Sequence, residues 1–193
     1  MTSQWLIRVA ALRDLDVELL PISLMVKNAS TPENPYHEAV VASHGLLRVM
    51  EAVRAAGHAG RLGDLYTEMG RRLHARGEDR ADAAEVLAAV GLDPALAAAA
   101  ADDPALDEPI RAAMDAGLAL VGDDVGTPII AVAHPDRPEV EVGLFGPVIT
   151  ELPDEAASLR LWDGFLAMVA TDGFFELKRT RTAAPDRLDE SDL

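Results

Sequence analysis

The sequence predicts an α/β fold in which a block of helices interrupts a small mixed core. Over residues 37–120, apolar residues recur at three- and four-residue spacing without any strand pattern. Residues 128–133 and 139–145 instead show the short apolar or alternating runs that are typical of strands. The composition agrees with this mixture: 49% of the residues are hydrophobic but only 4% are aromatic, which favours helices packed on a small sheet over an all-β sandwich.

The first 36 residues contain a predicted helix, a predicted strand and a loop. Residues 2–13 are predicted to be helical because their apolar residues recur at helical spacing. The stripe consists of Trp5, Leu6, Val9 and Leu12. Residues 17–26 form a mostly apolar run that suits a buried strand, although Pro21 demotes it to an edge or interrupted strand. Residues 27–36, with two prolines and two asparagines, are predicted to be a loop.

The helical block is divided by glycines at the ends of apolar stripes and by Asp-Pro pairs at the starts of others. The glycines are Gly57, Gly77 and Gly91, and the pairs are Asp93-Pro94 and Asp103-Pro104. We therefore predict an α-helical insertion domain over 28–120. It separates the two parts of the core, 1–27 and 121–182, and a frayed acidic tail follows over 183–193.

The period changes after residue 127. The run 128–133 is predicted to be a strand, 134–138 a turn and 139–145 a second strand. A last helix is predicted over 154–170, where apolar residues return to helical spacing. Two strands and a helix therefore complete the core after the helical block.

The charge and composition exclude several classes of partner and site. The net charge of −16 repels phosphate backbones and anionic lipids, so we expect neither nucleic acid nor a membrane surface as a partner. No run approaches the roughly 20 apolar residues that span a bilayer, and no signal-peptide pattern opens the chain, so we expect a cytoplasmic location. The chain has no cysteine, and its histidines lack the spacing of a zinc site. We expect no metal.

Seven short motifs, in order and at matching intervals, resemble the DsbA-like thiol oxidoreductases and, within them, the mycothiol-dependent nitroreductase group. They are TSQW (2–5), SL followed by Asn28 (23–28), DLYTEMGRRLHARG (64–77), GDDVGTPII (122–130), FGPV (145–148), LWD (161–163) and FFELKRTRT (174–182). The resemblance covers almost the whole chain. It implies a thioredoxin-like core of the DsbA type with an α-helical insertion.

The chain departs from this family before the TSQW match. There the family has a strand and a Cys-Pro-Trp-Cys-type motif, placed at a helix N-terminus that lowers the pKa of a cysteine. Because the chain contains no cysteine, the resemblance implies an N-terminally truncated member that lacks the first strand and the Cys-x-x-Cys motif. We expect no catalytic residue in it and no activity from the chain as given.

The resemblance implies five residues that bind substrate or thiol cofactor: Asn28, Tyr36, His74, Thr127 and Pro128. Thr127-Pro128 matches the cis-proline of the family. Mycothiol is the implied cofactor, nitro compounds or disulfides are the implied substrates, and a homodimer is the candidate assembly. Three of the residues have structural alternatives. Asn28 could cap its loop, Tyr36 could pack beneath the helical block, and His74 could be a polar residue in the last turn of a helix.

The sequence leaves three functions open, and with them the question of whether the chain is an enzyme. The first is a thiol–disulfide oxidoreductase of the mycothiol-dependent nitroreductase type. The second is a kappa-class-like thiol transferase or isomerase that uses a serine, for which Ser3 is the candidate, although it falls inside the predicted first helix. The third is a binding module without catalysis.

Overall fold

The computed structural model describes residues 1–78, 80–101 and 103–186. In that part of the chain the fold is mixed α/β, with eight α-helices and one two-stranded sheet. The chain divides into two compact units. Met1–Glu18 and the described residues from Ala116 onward form the first, which we call the sheet unit, and Leu19–Asp115 form the second, which we call the helical unit.

The helices and strands follow the predicted order apart from one element. The helices are α1 (Thr2–Arg13), α2 (Leu24–Lys27), α3 (His37–Ala55), α4 (Leu62–Gly70), α5 (Ala83–Ala89), α6 (Ala95–Ala101), α7 (Asp107–Val121) and α8 (Glu155–Val169). The strands are β1 (Ile129–His134) and β2 (Arg137–Phe145). One turn of π-helix, Arg71–Ala75, follows α4 directly. The predicted helices over 2–13, over the helical block and near 154–170 are therefore confirmed.

Aromatic residues of α1 and α8 form the core of the sheet unit. The ring centroids of Trp5 and Trp162 lie 6.2 Å apart, and Phe165 stacks on Trp162 at 5.6 Å. Val9 and Ile130 complete the buried cluster with Val169. The indole N–H of Trp5 donates to the Ser158 carbonyl at 3.2 Å, which satisfies its one polar group. The stripe predicted for the first helix is buried at Trp5 and Val9, whereas Leu12 at its end is exposed.

Both strands predicted in the second half of the chain are present. They pair antiparallel from Ile129 opposite Phe145 to Ala133 opposite Glu141, and the register shifts at His134. The turn is tied by His134, which accepts a hydrogen bond from the Asp136 N–H at 3.1 Å on Nδ1. The hairpin therefore begins directly after the Thr127-Pro128 pair.

The helical unit has an aliphatic core contributed by its successive helices. Its fully buried members include Val53 of α3, Leu65 of α4 and Leu87 of α5. The predicted helix boundaries are formed as expected: Gly91 follows α5 with φ of +71°, a conformation that favours glycine. Asp103 accepts from the Ala105 N–H at 2.9 Å before α7. Capping residues visible in the sequence thus set the helix ends.

The predicted strand over 17–26 is wrong. Residues 15–23 form no regular element, and Leu24–Lys27 form α2. Pro21 has no N–H to offer a sheet, and the hydroxyl of Ser23 accepts from the Val26 N–H at 3.2 Å and so caps a helical turn. The Leu19 carbonyl accepts from the Arg54 guanidinium at 3.0 Å. Side chains therefore satisfy backbone groups that a sheet would have paired.

Two further expectations concern the whole fold and the chain end. The described sheet has two strands, so the thioredoxin-like form of the core stays a prediction. The frayed tail predicted over 183–193 falls largely on residues 187–193, which lie outside the described residues. Within the described part, Asp186 donates its N–H to the Thr150 carbonyl at 2.8 Å. No described helix combines the length and the hydropathy needed to cross a membrane.

Candidate functional site

The five predicted binding residues belong to different units. Asn28, Tyr36 and His74 lie in the helical unit, and Thr127 and Pro128 lie in the sheet unit. Asn28 and Tyr36 share one loop, between α2 and α3, and His74 follows α4. Each unit therefore carries its own set of candidate binding groups.

Asn28 and Tyr36 stand at the two ends of the loop between α2 and α3. Asn28 ends α2 and donates its N–H to the Leu24 carbonyl at 3.2 Å. Its side chain is exposed and has no hydrogen-bond partner among the described residues. Tyr36 precedes α3, is 71% exposed, and donates its N–H to Asn34 Oδ1 at 2.9 Å. The amide of Asn28 thus does not cap the loop, and the ring of Tyr36 is not packed in a core.

His74 lies in the π-helical turn Arg71–Ala75, at the wall of a cavity of about 560 Å³ within the helical unit. Small apolar side chains from α3, α5 and α6 form most of this wall, and Ser43, His74 and Arg80 add polar groups. Desolvation lowers the pKa of the His74 imidazole below its ordinary value, which favours the neutral ring with one donor and one acceptor nitrogen.

Ion pairs fix the π-helical turn to the helices on either side. The Arg72 guanidinium donates to Glu68 of α4 at 3.0 Å and to Glu85 of α5 at 2.7 Å. Arg71 also donates to Glu68, which is buried. Desolvation alone would raise the pKa of the Glu68 carboxyl, but the hydrogen bonds from Arg72 and Arg71 lower it overall. The first residues of the turn that carries His74 are therefore held to both α4 and α5 by charged hydrogen bonds.

The Thr127-Pro128 peptide bond is cis, as the resemblance implied. Thr127 is exposed, and the Pro128 carbonyl accepts from the Gly146 N–H at 2.8 Å. The Gly146-Pro147 bond is also cis, which the sequence analysis did not predict. The Pro147 carbonyl accepts from the Thr2 hydroxyl at 2.8 Å. The segments before β1 and after β2 are thus joined by a main-chain hydrogen bond beside the exposed Thr127.

The helical unit also contains a buried polar network that sequence reasoning missed. Ser23 Oγ lies 2.9 Å from His44 Nδ1, and His44 Nε2 lies 2.9 Å from Asp107 Oδ1. Arg48 donates to the two oxygens of Asp107 at 2.6 and 2.9 Å. Ser23 is 1% exposed and His44 4%. The one sequence signal was a histidine on the apolar face of a helix, since such a residue needs partners when it is buried.

The hydrogen-bond acceptors of this network determine which of its atoms carry the protons. The hydrogen bond from Arg48 lowers the pKa of Asp107 to about 2, so the carboxylate is ionised and can only accept. Both imidazole nitrogens are satisfied when Nε2–H donates to Asp107 and Nδ1 accepts from the Ser23 hydroxyl. The order Ser–His–Asp is that of a hydrolase triad, but a substrate cannot reach a hydroxyl that is 1% exposed. The network is therefore structural.

No three His, Asp or Glu side chains of the described residues are grouped so that they could hold a metal ion. Among the predicted binding residues, the groups available to a ligand are those of the loop between α2 and α3, the cavity wall at His74, and the exposed Thr127. These groups offer hydrogen-bond donors and acceptors, and none of them is a sulfur nucleophile.

Comparison with known proteins gives two findings. A family model described as Rv2466c-like, mycothiol-dependent nitroreductase Rv2466c, matches residues 1–179. The chain is also 30% identical over 122 residues to "Uncharacterized protein Rv2286c" of Mycobacterium tuberculosis (strain ATCC 25618 / H37Rv), an alignment that covers 62% of this chain and 49% of that protein. The chain thus spans about half the length of the curated relative that it matches.

Proposed function

Because this chain belongs to the Rv2466c-like family of mycothiol-dependent nitroreductases, we propose that it binds mycothiol and serves a thiol-dependent oxidoreductase reaction. The observation that carries the proposal is the family match over residues 1–179, which includes every candidate binding residue. For the core we propose the DsbA-type arrangement that the motifs of the sequence imply. Nitro compounds and disulfides are the proposed classes of second substrate.

Five residues make the proposed contacts. The side-chain amide of Asn28 offers two donors and an acceptor, and the hydroxyl of Tyr36 offers one of each. The neutral His74 ring adds a donor and an acceptor at the cavity wall. The main-chain N–H and C=O of the exposed Thr127, which precedes Pro128, form hydrogen bonds with polar groups of a bound thiol or disulfide. These contacts bind and orient a thiol and do not attack it.

The attacking sulfur in this proposal is not one of the chain's own. Thiol–disulfide exchange requires a thiolate that attacks a disulfide sulfur and a second thiolate that leaves. The 193 residues contain no cysteine, so none of their side chains can form the mixed disulfide. We therefore expect the chain as given to bind the thiol and to show no turnover by itself.

The serine-dependent transferase has less support. Ser3 lies inside α1, one residue after the helix begins, whereas the family's reactive residue stands before that helix. A binding module without catalysis remains as the second candidate, because the absence of cysteine favours it.

A matched pair of histidine variants tests the proposed site. We expect His74→Ala to weaken mycothiol binding about tenfold in isothermal titration calorimetry, which corresponds to roughly 1.4 kcal/mol, because the cavity wall loses its donor and acceptor. His58→Ala, in the exposed segment after α3, should leave the affinity within about twofold. Equal affinity in the two variants, or no binding by the unmodified chain, would overturn the proposal.

A further inference from the structure

We propose that the buried network of Ser23, His44, Arg48 and Asp107 positions Asn28 for thiol binding through α2. That Asn28 contacts a thiol rests on the proposed function. That the network holds Asn28 in position does not depend on it. None of the four is a catalytic residue, because none touches the proposed ligand. They are positioning residues, and their effect passes through a single helical turn.

The turn in question cannot hold its own shape. It has four residues, Leu24–Lys27, and none of them is buried. A helix this short is unstable alone because nucleation is costly and few hydrogen bonds repay it. Ser23 stands at its N-cap and Asn28 at its C-cap. The cap at Ser23 therefore contributes to the position of Asn28, together with the main-chain hydrogen bonds from Ala29 to Val26 and from Ser30 to Met25.

Two hydrogen bonds fix the hydroxyl of Ser23. Its oxygen accepts from the Val26 N–H at 3.2 Å, which is the capping bond of α2. Its proton is directed to His44 Nδ1, 2.9 Å away. A hydroxyl has one proton and two lone pairs, so this pair of bonds selects one orientation of the Ser23 side chain.

The orientation of Ser23 depends in turn on the tautomer of His44. Nδ1 accepts a hydrogen bond from the Ser23 hydroxyl only when the ring proton is on Nε2, facing Asp107 at 2.9 Å. Arg48 holds Asp107 by two hydrogen bonds and also donates to the Ala101 carbonyl at 3.3 Å. The guanidinium of Arg48 thereby fixes the carboxylate, the carboxylate fixes the imidazole, and the imidazole fixes the cap.

Because Ser23 and His44 are buried, each hydrogen bond of the network is needed to satisfy their polar atoms. Bulk water has no direct access to a hydroxyl that is 1% exposed or an imidazole that is 4% exposed, so each depends on its protein partners. Removal of the His44 acceptor leaves the Ser23 proton without a partner, which destabilises the native orientation. The hydroxyl then reorients, and the turn that ends at Asn28 loses its cap.

Amide hydrogen exchange tests the positioning without any ligand. The Asn28 N–H, bonded to the Leu24 carbonyl at 3.2 Å, should exchange at least about tenfold faster in Ser23→Ala and His44→Leu than in the unmodified chain. His44→Asn keeps an acceptor near the position of Nδ1 and should restore most of the protection. The control is Asp154→Ala, which removes the cap of α8 in the other unit. Unchanged Asn28 protection in Ser23→Ala and His44→Leu would overturn the inference.

A double-mutant cycle tests the consequence for binding. Ser23→Ala should weaken mycothiol binding by about the same factor as Asn28→Ala, and the double variant should bind no more weakly than Asn28→Ala alone. If Ser23→Ala acted through a general loss of stability, the double variant would bind mycothiol more weakly than Asn28→Ala alone. If Asn28→Ala weakens binding and Ser23→Ala does not, the positioning role is wrong. If Asn28→Ala has no effect, the proposed contact of Asn28 with the thiol is wrong, and the exchange measurement still decides the positioning.

Discussion

At the scale of single residues, Asp107 is the acceptor on which the buried network of the helical unit converges. Arg48 gives it two hydrogen bonds and His44 faces it with one nitrogen. The bond from Arg48 is the largest cause that lowers the pKa of Asp107, from 3.8 to about 2. Because the folded-state pKa lies below the unfolded value, the stabilisation is present above about pH 4 and is lost as the pH falls toward 2.

Asp107→Asn tests this linkage. At pH 7 we expect the free energy of unfolding to fall by about 1–2 kcal/mol, since one pKa unit corresponds to about 1.4 kcal/mol and solvent screens part of the pair. The difference between variant and unmodified chain should shrink between pH 5 and pH 2, because the unmodified chain loses there the ionised carboxylate that the variant lacks at every pH. Urea denaturation followed by far-ultraviolet circular dichroism measures it.

The control is Asp64→Asn, which removes a surface carboxylate paired with Arg61 at 2.8 Å and 61% exposed. Exposed pairs contribute about 0–1 kcal/mol, so this variant should differ little from the unmodified chain at any pH. An Asp107→Asn deficit that is the same at pH 7 and pH 3 would contradict the assignment of the pKa shift.

The sequence could identify candidate binding residues but not the network that positions one of them. Asn28, Tyr36 and His74 came from motifs that resemble a family. Ser23 and His44 are 21 residues apart, and His44 and Asp107 are 63 apart. A pattern of spacing along the chain carries no information on pairs of that separation, since the packing of α3 against neighbouring segments brings them together.

At the scale of elements, the helical spacing of apolar residues predicted most helices, and a capping residue marked the start of some of them. Asp103 accepts the hydrogen bond that its position indicated, from Ala105, and Asp154 accepts one from Ala157 that was not predicted. The strand over 17–26 was predicted from apolar composition alone, which suits a strand or an irregular segment equally well. Pro21 and the cap at Ser23 decided the outcome. Apolar composition without capping evidence is thus a weak predictor of a strand.

Asp154→Ala tests how much one cap contributes to the sheet unit. The Asp154 carboxylate accepts from the Ala157 N–H at 2.7 Å. We expect a loss of about 1 kcal/mol in the free energy of unfolding, the usual cost of removing an N-cap. Both tryptophans of the chain, Trp5 and Trp162, lie in this unit, so tryptophan fluorescence during urea unfolding reports on it.

Glu151→Ala serves as the matched control, because Glu151 is an exposed acid just before the same helix. Its removal should change the free energy of unfolding by no more than about 0.5 kcal/mol. If Asp154→Ala also falls within that range, the cap is not a significant source of stability.

At the scale of the whole molecule, the family match and the composition point to different parts of one function. The match over residues 1–179 shows that the chain belongs to the Rv2466c-like family. In the proposed function the 193 residues, which include no cysteine, bind the thiol and do not carry out the covalent step. Both statements agree if the chain recognises mycothiol and another sulfur carries out the exchange.

The covalent part of this account predicts a negative result that can be measured. After incubation with the disulfide of mycothiol, the intact mass of the chain should stay unchanged, because a mixed disulfide needs a cysteine sulfur. The chain alone should also show no thiol-dependent reduction of a nitro compound or of insulin. Measurable turnover by the purified chain would contradict the role that we assign to its residues.

Titration of the unmodified 193-residue chain with mycothiol, in parallel with glutathione, tests the central claim most directly. We expect saturable one-site binding of mycothiol in calorimetry. The melting temperature should rise with mycothiol concentration, since a ligand that binds only the native state stabilises it in proportion to RT ln(1 + [L]/Kd). Glutathione should bind at least about tenfold more weakly, a difference of roughly 1.4 kcal/mol. Absence of mycothiol binding at millimolar concentration, or equal affinity for the two thiols, would contradict the account.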